Sequence, residues 1–234
     1  MIKKECIKLF NSLLEDVLNP LNFFPYTIPG ECGYIFRKSN GDVHFLGLRY
    51  TQSWNTLTSK RDAFCIEPYL VVSINEIEKV YKKITKNIYY KHEIDYRTLT
   101  PQVASIIAFP SGIIKGIGHN EFAWRIEEME DIMQIVSTLK TLFINVILPY
   151  FNSNSIVKRV DELFNNNLDA AIIHVQFKPT RAVRGLIAKY LLDSEDYEKI
   201  ISHYDKSSNL WSSNLQDEYA EVKNLFFRLN AADM

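Results

Sequence analysis

The chain has 234 residues, 47% of them hydrophobic and 24% charged, and a formal net charge of -1. It is long enough to bury a core without disulfide or metal staples, and its near-neutral balance provides no whole-chain field toward nucleic acid or an anionic membrane. The cysteines Cys6, Cys32 and Cys65 are odd in number and form no C-x-x-C pair, which excludes a disulfide scaffold and a zinc ribbon and leaves each as a small buried hydrophobe.

In chain order, "MIKKECIKLFNSLLEDVL" comes first. Lys8, Glu15 and Asp16 interrupt any signal-peptide core, and the spacing predicts an amphipathic helix with Cys6, Leu9, Phe10, Leu13 and Val17 on one side. Pro20 predicts its end near Asn19. No run approaches the roughly 18 apolar residues that cross a bilayer, so the expected location is the cytoplasm, with no membrane partner. "NFFPYTIPGECG", with two prolines and two glycines, predicts an irregular connection. In "FRKSNGDVHFLGLRY" (36–50), Asn40-Gly41 predicts a two-residue type I′ hairpin turn. Counting back pairs Arg37 with His44, Phe36 with Phe45, Ile35 with Leu46 and Tyr34 with Gly47.

That register sorts the side chains onto two faces. Ile35, Leu46, Leu48 and Tyr50 form one; Tyr34, Phe36, Phe45, Arg49 and Thr51 form the other, with Tyr34 filling the hole at Gly47. Each large side chain gains roughly 1.5–3 kcal/mol on burial. Helices of the same chain are therefore expected to cover most of the second face, leaving its Arg49–Trp54 end open.

"FCIEPYLVVS" (64–73) predicts a strand whose Pro68 favours an edge or a bulge, and "INEIEKVYKKI" predicts a short helix. The stretch 85–100 shows no period. "ASIIAF", "GIIKGIG" and "EFAWRI" are strand-like. From Glu127 the period becomes helical through Met129, Ile132, Met133, Val136, Leu139, Phe143, Val146 and Ile147. Acidic residues crowd the first turn, where the helix dipole favours them, and Pro149 marks the end. Shorter helices are predicted at 155–165, 179–192, 195–204 and 215–229, with "DKSSNLWSSN" as a polar linker between the last two. The order, strands first and helices second, predicts an α+β fold: a mainly antiparallel sheet packed with helices, then a helical C-terminal region. The expected domains are 1–150, carrying the sheet and the long helix, and 151–234, helical and packed on it.

The residues supply no catalytic set. "SGIIKGIGHNE" lacks the Gly-Lys-Ser/Thr ending of a phosphate loop and reads as a glycine turn. "KHEIDYR" gathers His92, Glu93 and Asp95, but His44, His119, His174 and His203 show no matching ligand spacing, so no metal and no cofactor is expected. Nothing around Cys32 or Cys65 marks an activated nucleophile. "RYTQSWN" (49–55) ends the hairpin strand in residue types suited to interfaces. Beside the plain reading of Trp54 as a core plug, it makes Arg49, Gln52 and Trp54 the candidate partner-binding residues.

The order of "LNPLNF", an "FR" strand, "LRYTQSWN", "FCIEPYLVV" and a long helix closing in "LPYF" resembles a bacterial domain family of unknown function sometimes found near polymorphic-toxin immunity genes. The resemblance covers about residues 5–165. It implies an α+β fold and carries over no catalytic residue. Nuclease-inhibiting immunity proteins are often strongly acidic, which this chain is not. The expectation is a non-enzymatic, cytoplasmic bacterial protein that binds another protein, as an immunity or defence factor. The alternatives are an enzyme or small-ligand binder with a pocket between the sheet and the C-terminal helices, and an adaptor that uses its last helices.

Overall fold

The computed structural model describes residues 2–29, 31–55, 60–86, 90–101, 103, 124–126, 128–169, 178–194 and 196–232. The fold is α+β, with a five-stranded antiparallel sheet followed by helices. The strands run in sequence order across the sheet: β1 (Phe24–Ile28), β2 (Glu31–Arg37), β3 (Val43–Asn55), β4 (Lys60–Ser73) and β5 (Trp124–Ile126). The chain divides into two compact units. The first comprises Met1–Arg37, His44–Val71 and Pro101–Asn152; the second comprises Lys38–Val43, Val72–Thr100 and Ser153–Met234.

In the first unit, helix α1 (Ile2–Leu18) buries Cys6, Phe10, Leu14 and Leu18. This is a strict i, i+4 stripe, beside which the expected Leu9, Leu13 and Val17 are only half-buried. The helix ends where Pro20 predicts. A 3-10 turn at Asn19–Leu21 follows, closed by Asn22 at φ 62. The next stretch is not irregular. It forms β1, paired antiparallel with β2 from Phe24↔Ile35 to Ile28↔Glu31. Pro25 is tolerated because β1 is an edge strand, where a missing N–H costs no ladder bond.

The hairpin also departs from expectation. The Lys38 carbonyl accepts from Gly41 N–H at 3.0 Å, and Lys38 N–H donates to the Asp42 carbonyl at 2.9 Å. Within the hairpin loop only Gly41 has positive φ, at 89°. The loop is therefore three residues, a type I turn closed by a glycine bulge, and the pairing sum falls by one. Phe36 now faces His44, their rings 5.8 Å apart, and Gly33 faces Gly47, whose Cα lies 2.8 Å from where a Gly33 Cβ would stand. The slip moves Tyr34 and Phe36 onto the face of Leu46 and Leu48, and leaves Ile35 with Phe45 and Arg49.

The first of these faces is covered by helices. Tyr34 and Tyr50 donate their hydroxyls to the carbonyl and the side chain of Asn11 on α1, at 3.1 and 2.8 Å. Phe23 packs on Phe36, Phe143 and Phe151, and His44 stacks on Phe151 at 4.6 Å. The last two phenylalanines belong to α3 (Met129–Ser153), a continuous helix interrupted by a π turn at Phe143–Ile147. It runs through Pro149 instead of stopping there. The widened turn just before the proline relaxes the backbone that its ring would otherwise meet. By length and composition α3 is long and apolar enough to cross a membrane. In the fold it buries Ile132, Leu139, Phe143, Ile147 and Phe151 in the core, while Met129 and Met133 are exposed. Strand β4 starts four residues earlier than predicted, at Lys60, and pairs with β5 from Phe64↔Ile126 to Ile66↔Trp124. The strand-like stretches at 104–118 lie outside the described residues.

The second unit is built on α2 (Asn75–Ile84), α4 (Val157–Asn165), α5 (Lys178–Leu191), α6 (Tyr197–Ser208) and α7 (Ser213–Ala232). Helix α6 continues to Ser208, so the predicted linker shrinks to 209–212. Helix α5 is the central one, buried continuously from Arg181 to Lys189. Its polar residues are accordingly partnered. Arg184 pairs with Glu78 at 3.2 Å and lies 3.6 Å over the Tyr81 ring. Arg181 donates to the carbonyls of Phe164, Asn167 and Leu168, and Lys189 pairs with Asp161 and Asp196. The hairpin tip belongs to this unit too. Buried Asp42 accepts from the Asn75 N–H at 2.9 Å at the start of α2, and Asn75 Nδ2 donates to the Asn40 carbonyl at 2.6 Å.

Candidate functional site: the Arg49 face of the sheet

On the second sheet face, strand alternation lines up Tyr26 of β1, Glu31 and Arg37 of β2, Phe45, Gly47 and Arg49 of β3, and Glu67 and Tyr69 of β4. Gly47 leaves bare backbone, and the ring that fills the space is Tyr69, not Tyr34. A Cβ on Gly47 would collide with the Tyr69 ring. Tyr69 is held flat by its hydroxyl, which donates to Glu31 Oε2 at 2.9 Å, and by Phe45, which meets it edge-on at 5.9 Å. Tyr26 packs on the other side of Phe45 at 6.1 Å. A guanidinium closes each end of this aromatic row: Arg37 lies 5.4 Å from the Tyr26 ring centre and Arg49 lies 4.6 Å from that of Tyr69.

Phe45 is fully buried and Ile35 nearly so, and Tyr69 is itself buried with its hydroxyl on Glu31, whereas Arg37 and Arg49 lay their stems along the row and keep their charged ends exposed. Arg49 remains 56% exposed and Glu67 44%, with Nη1 and Oε1 3.8 Å apart. A guanidinium already oriented by a ring and a carboxylate loses little freedom when it meets a ligand.

Of the three predicted partner-binding residues, Arg49 lies in this row. Gln52 and Trp54 belong to β3, and their side chains lie outside the described residues. Sequence reading missed Tyr26, Glu31, Glu67 and Tyr69. The signal for Tyr69 was the glycine at 47 on the neighbouring strand; Tyr26 had none, because its prolines masked β1.

The other candidates have structural roles. Asp95 accepts from the N–H groups of Lys91 and His92, at 2.8 and 2.7 Å, and so caps the 3-10 turn Glu93–Asp95. Among the described residues no three His, Cys, Asp or Glu groups are placed to hold a metal ion. His119, His174 and the glycine turn at 111–121 lie outside the described residues. Cys6 is buried, whereas Cys32 and Cys65 are half-buried, and all three are free thiols. Burial, and secondarily the neighbouring Glu5 and Glu31 carboxylates, push the Cys6 and Cys32 thiols up, which disfavours the nucleophilic thiolate.

The second unit carries a separate cleft of about 500 Å³, lined by the turn from Asn165 to Asp169 and by Lys199, Ser202, His203 and Lys206 of α6. Comparison of the chain with protein-family models, with curated proteins and with solved structures finds no match in any of the three.

Proposed function

We propose that this is a non-enzymatic protein-binding protein of the bacterial cytoplasm, an immunity or defence factor that engages its partner through the Arg49 face of the sheet. The observation that carries the reading is the Arg37–Tyr26–Phe45–Tyr69–Arg49 row. Arginine and tyrosine are the residue types that concentrate binding energy at interfaces, and here they are fixed in advance on a rigid sheet. The exposed Glu67 carboxylate beside the exposed Arg49 guanidinium suits a partner surface of mixed charge, consistent with the chain's near-neutral balance. The resemblance to a family found near toxin-immunity genes supports the same class of partner.

The test uses the protein product of the neighbouring gene, purified and titrated by calorimetry. Binding is expected, with Arg49→Glu weakening it by about thirtyfold or more, the loss typical of an interface hot spot. Thermal melting of the variant should stay within a few degrees of the parent, because the side chain is mostly exposed. Binding indifferent to Arg49→Glu, or no binding at all, would sink the proposal.

A further inference from the structure

We infer that the cleft between the 165–169 turn and α6 binds the phosphate group of a small phosphorylated molecule. Lys199, Ser202, His203 and Lys206 recur at i, i+3, i+4 and i+7, so α6 turns one polar, basic face into the cleft. Among the described residues neither Lys199 nor Lys206 has a carboxylate partner, whereas Lys189 and Lys223 of the same unit are both paired. Asp205, the acidic residue next to Lys206, is held by Lys223 at 2.9 Å and does not neutralise the cleft. Glu198 is exposed outside the lining.

The opposite wall would ordinarily repel an anion, because it is the carbonyl end of α4. Here the buried Arg181 guanidinium takes up that negative potential, donating to the carbonyls of Phe164, Asn167 and Leu168 at 2.8, 2.6 and 3.2 Å. The same bonds fix the turn that presents Asn166 and Asn167 to the cleft. One carboxylate remains in the lining. Asp169 is 93% exposed, and its Oδ1 lies 3.7 Å from His203 Nδ1. A cleft of about 500 Å³ is far larger than a phosphate ion and falls within the range of pockets for small organic ligands. Two lysines and a histidine would hold the charged group, while Asn166 and Ser202, also in the lining, would meet the rest of the molecule.

The test is calorimetric titration of the full chain with inorganic phosphate, ribose 5-phosphate and, as the uncharged control, ribose. Both phosphates are expected to bind, the sugar phosphate more tightly, and ribose not to bind. The double change Lys199→Ala with Lys206→Ala should weaken ribose 5-phosphate by at least about tenfold. Asp169→Asn should tighten it several-fold, and Lys79→Ala on exposed α2 surface should leave it unchanged. Single Lys→Gln changes, each with a smaller loss, supply the reading if the double variant folds poorly. Absence of phosphate binding overturns the inference. So does binding that survives the double change, or an oligoribonucleotide that binds where the monoester does not.

Discussion

Glu78 and Arg184 are both almost fully buried and meet at 3.2 Å, with Thr98 donating to the same carboxylate at 2.7 Å and the Tyr81 ring beneath the guanidinium. Burial is the largest single influence and lowers the Arg184 pKa, but the Glu78 carboxylate together with Tyr81 and Tyr90 outweighs it, and the net shift is upward. Removing one partner strands the other charge in the interior, so Arg184→Met should cost about 3–5 kcal/mol in urea unfolding. Adding Glu78→Leu should recover part of that loss; a double variant weaker than the single one would show that the pair is not the unit of stability. Asp196 provides the pH counterpart. Hydrogen bonds from Lys189 and Ser194 lead the causes that hold its carboxyl below the usual range. A depressed carboxylate contributes stability above its unfolded pKa and loses it as pH falls through the folded value. Asp196→Asn should therefore lower stability at neutral pH and flatten its decline in acid, with the difference small because the side chain is largely exposed.

At the scale of elements, the hairpin shows how one local choice propagates. Asn40-Gly41 announced a turn, but the tip is fixed by partners far along the chain. Asp42 accepts from Asn75 N–H, and Asn75 Nδ2 reaches the Asn40 carbonyl. Those bonds favour the three-residue loop, and the one-residue change in register moves two aromatics to the opposite face. Asp42→Ala should destabilise the protein by about 1–2 kcal/mol, since the first turn of α2 loses an acceptor. Gly41→Val should cost about 1–3 kcal/mol, both for its positive φ and because a Cβ would stand 2.7 Å from Asn75 Nδ2. Unfolding curves that leave either variant unchanged would contradict this account. Periodicity made α1, α2, α3 and the C-terminal helices readable, because a buried stripe repeats locally. The strand β1 and the passage of α3 through Pro149 were not readable. An edge position and a π turn are tertiary accommodations of prolines that local rules treat as breaks. Arg49 was visible as a residue type at the end of a strand, whereas Gly47 marked a gap without saying which ring fills it, because strand pairing brings Tyr69 there.

At the scale of the molecule, the two units are woven from one chain that passes between them five times. Phe45, fully buried in the first unit between Tyr26 and Tyr69, should lose about 3–5 kcal/mol on change to Ala and lower the melting temperature. An unchanged melting temperature would mean that the face is not core. The second unit cannot be cut out at residue 153, because Arg184 would leave its Glu78 partner behind. A 153–234 fragment should show helical far-ultraviolet dichroism with poorly dispersed amide resonances, and sharp native-like dispersion would refute this. The Glu78–Arg184 pair also sets a schedule for synthesis. All of the first unit has been translated by Asn152, while Glu78 emerges on α2 long before Arg184 of α5 leaves the ribosome. In the nascent chain that carboxylate stays in water until α5 arrives. Vectorial synthesis thus makes the whole first unit, its sheet together with α1 and α3, available before α5 exists.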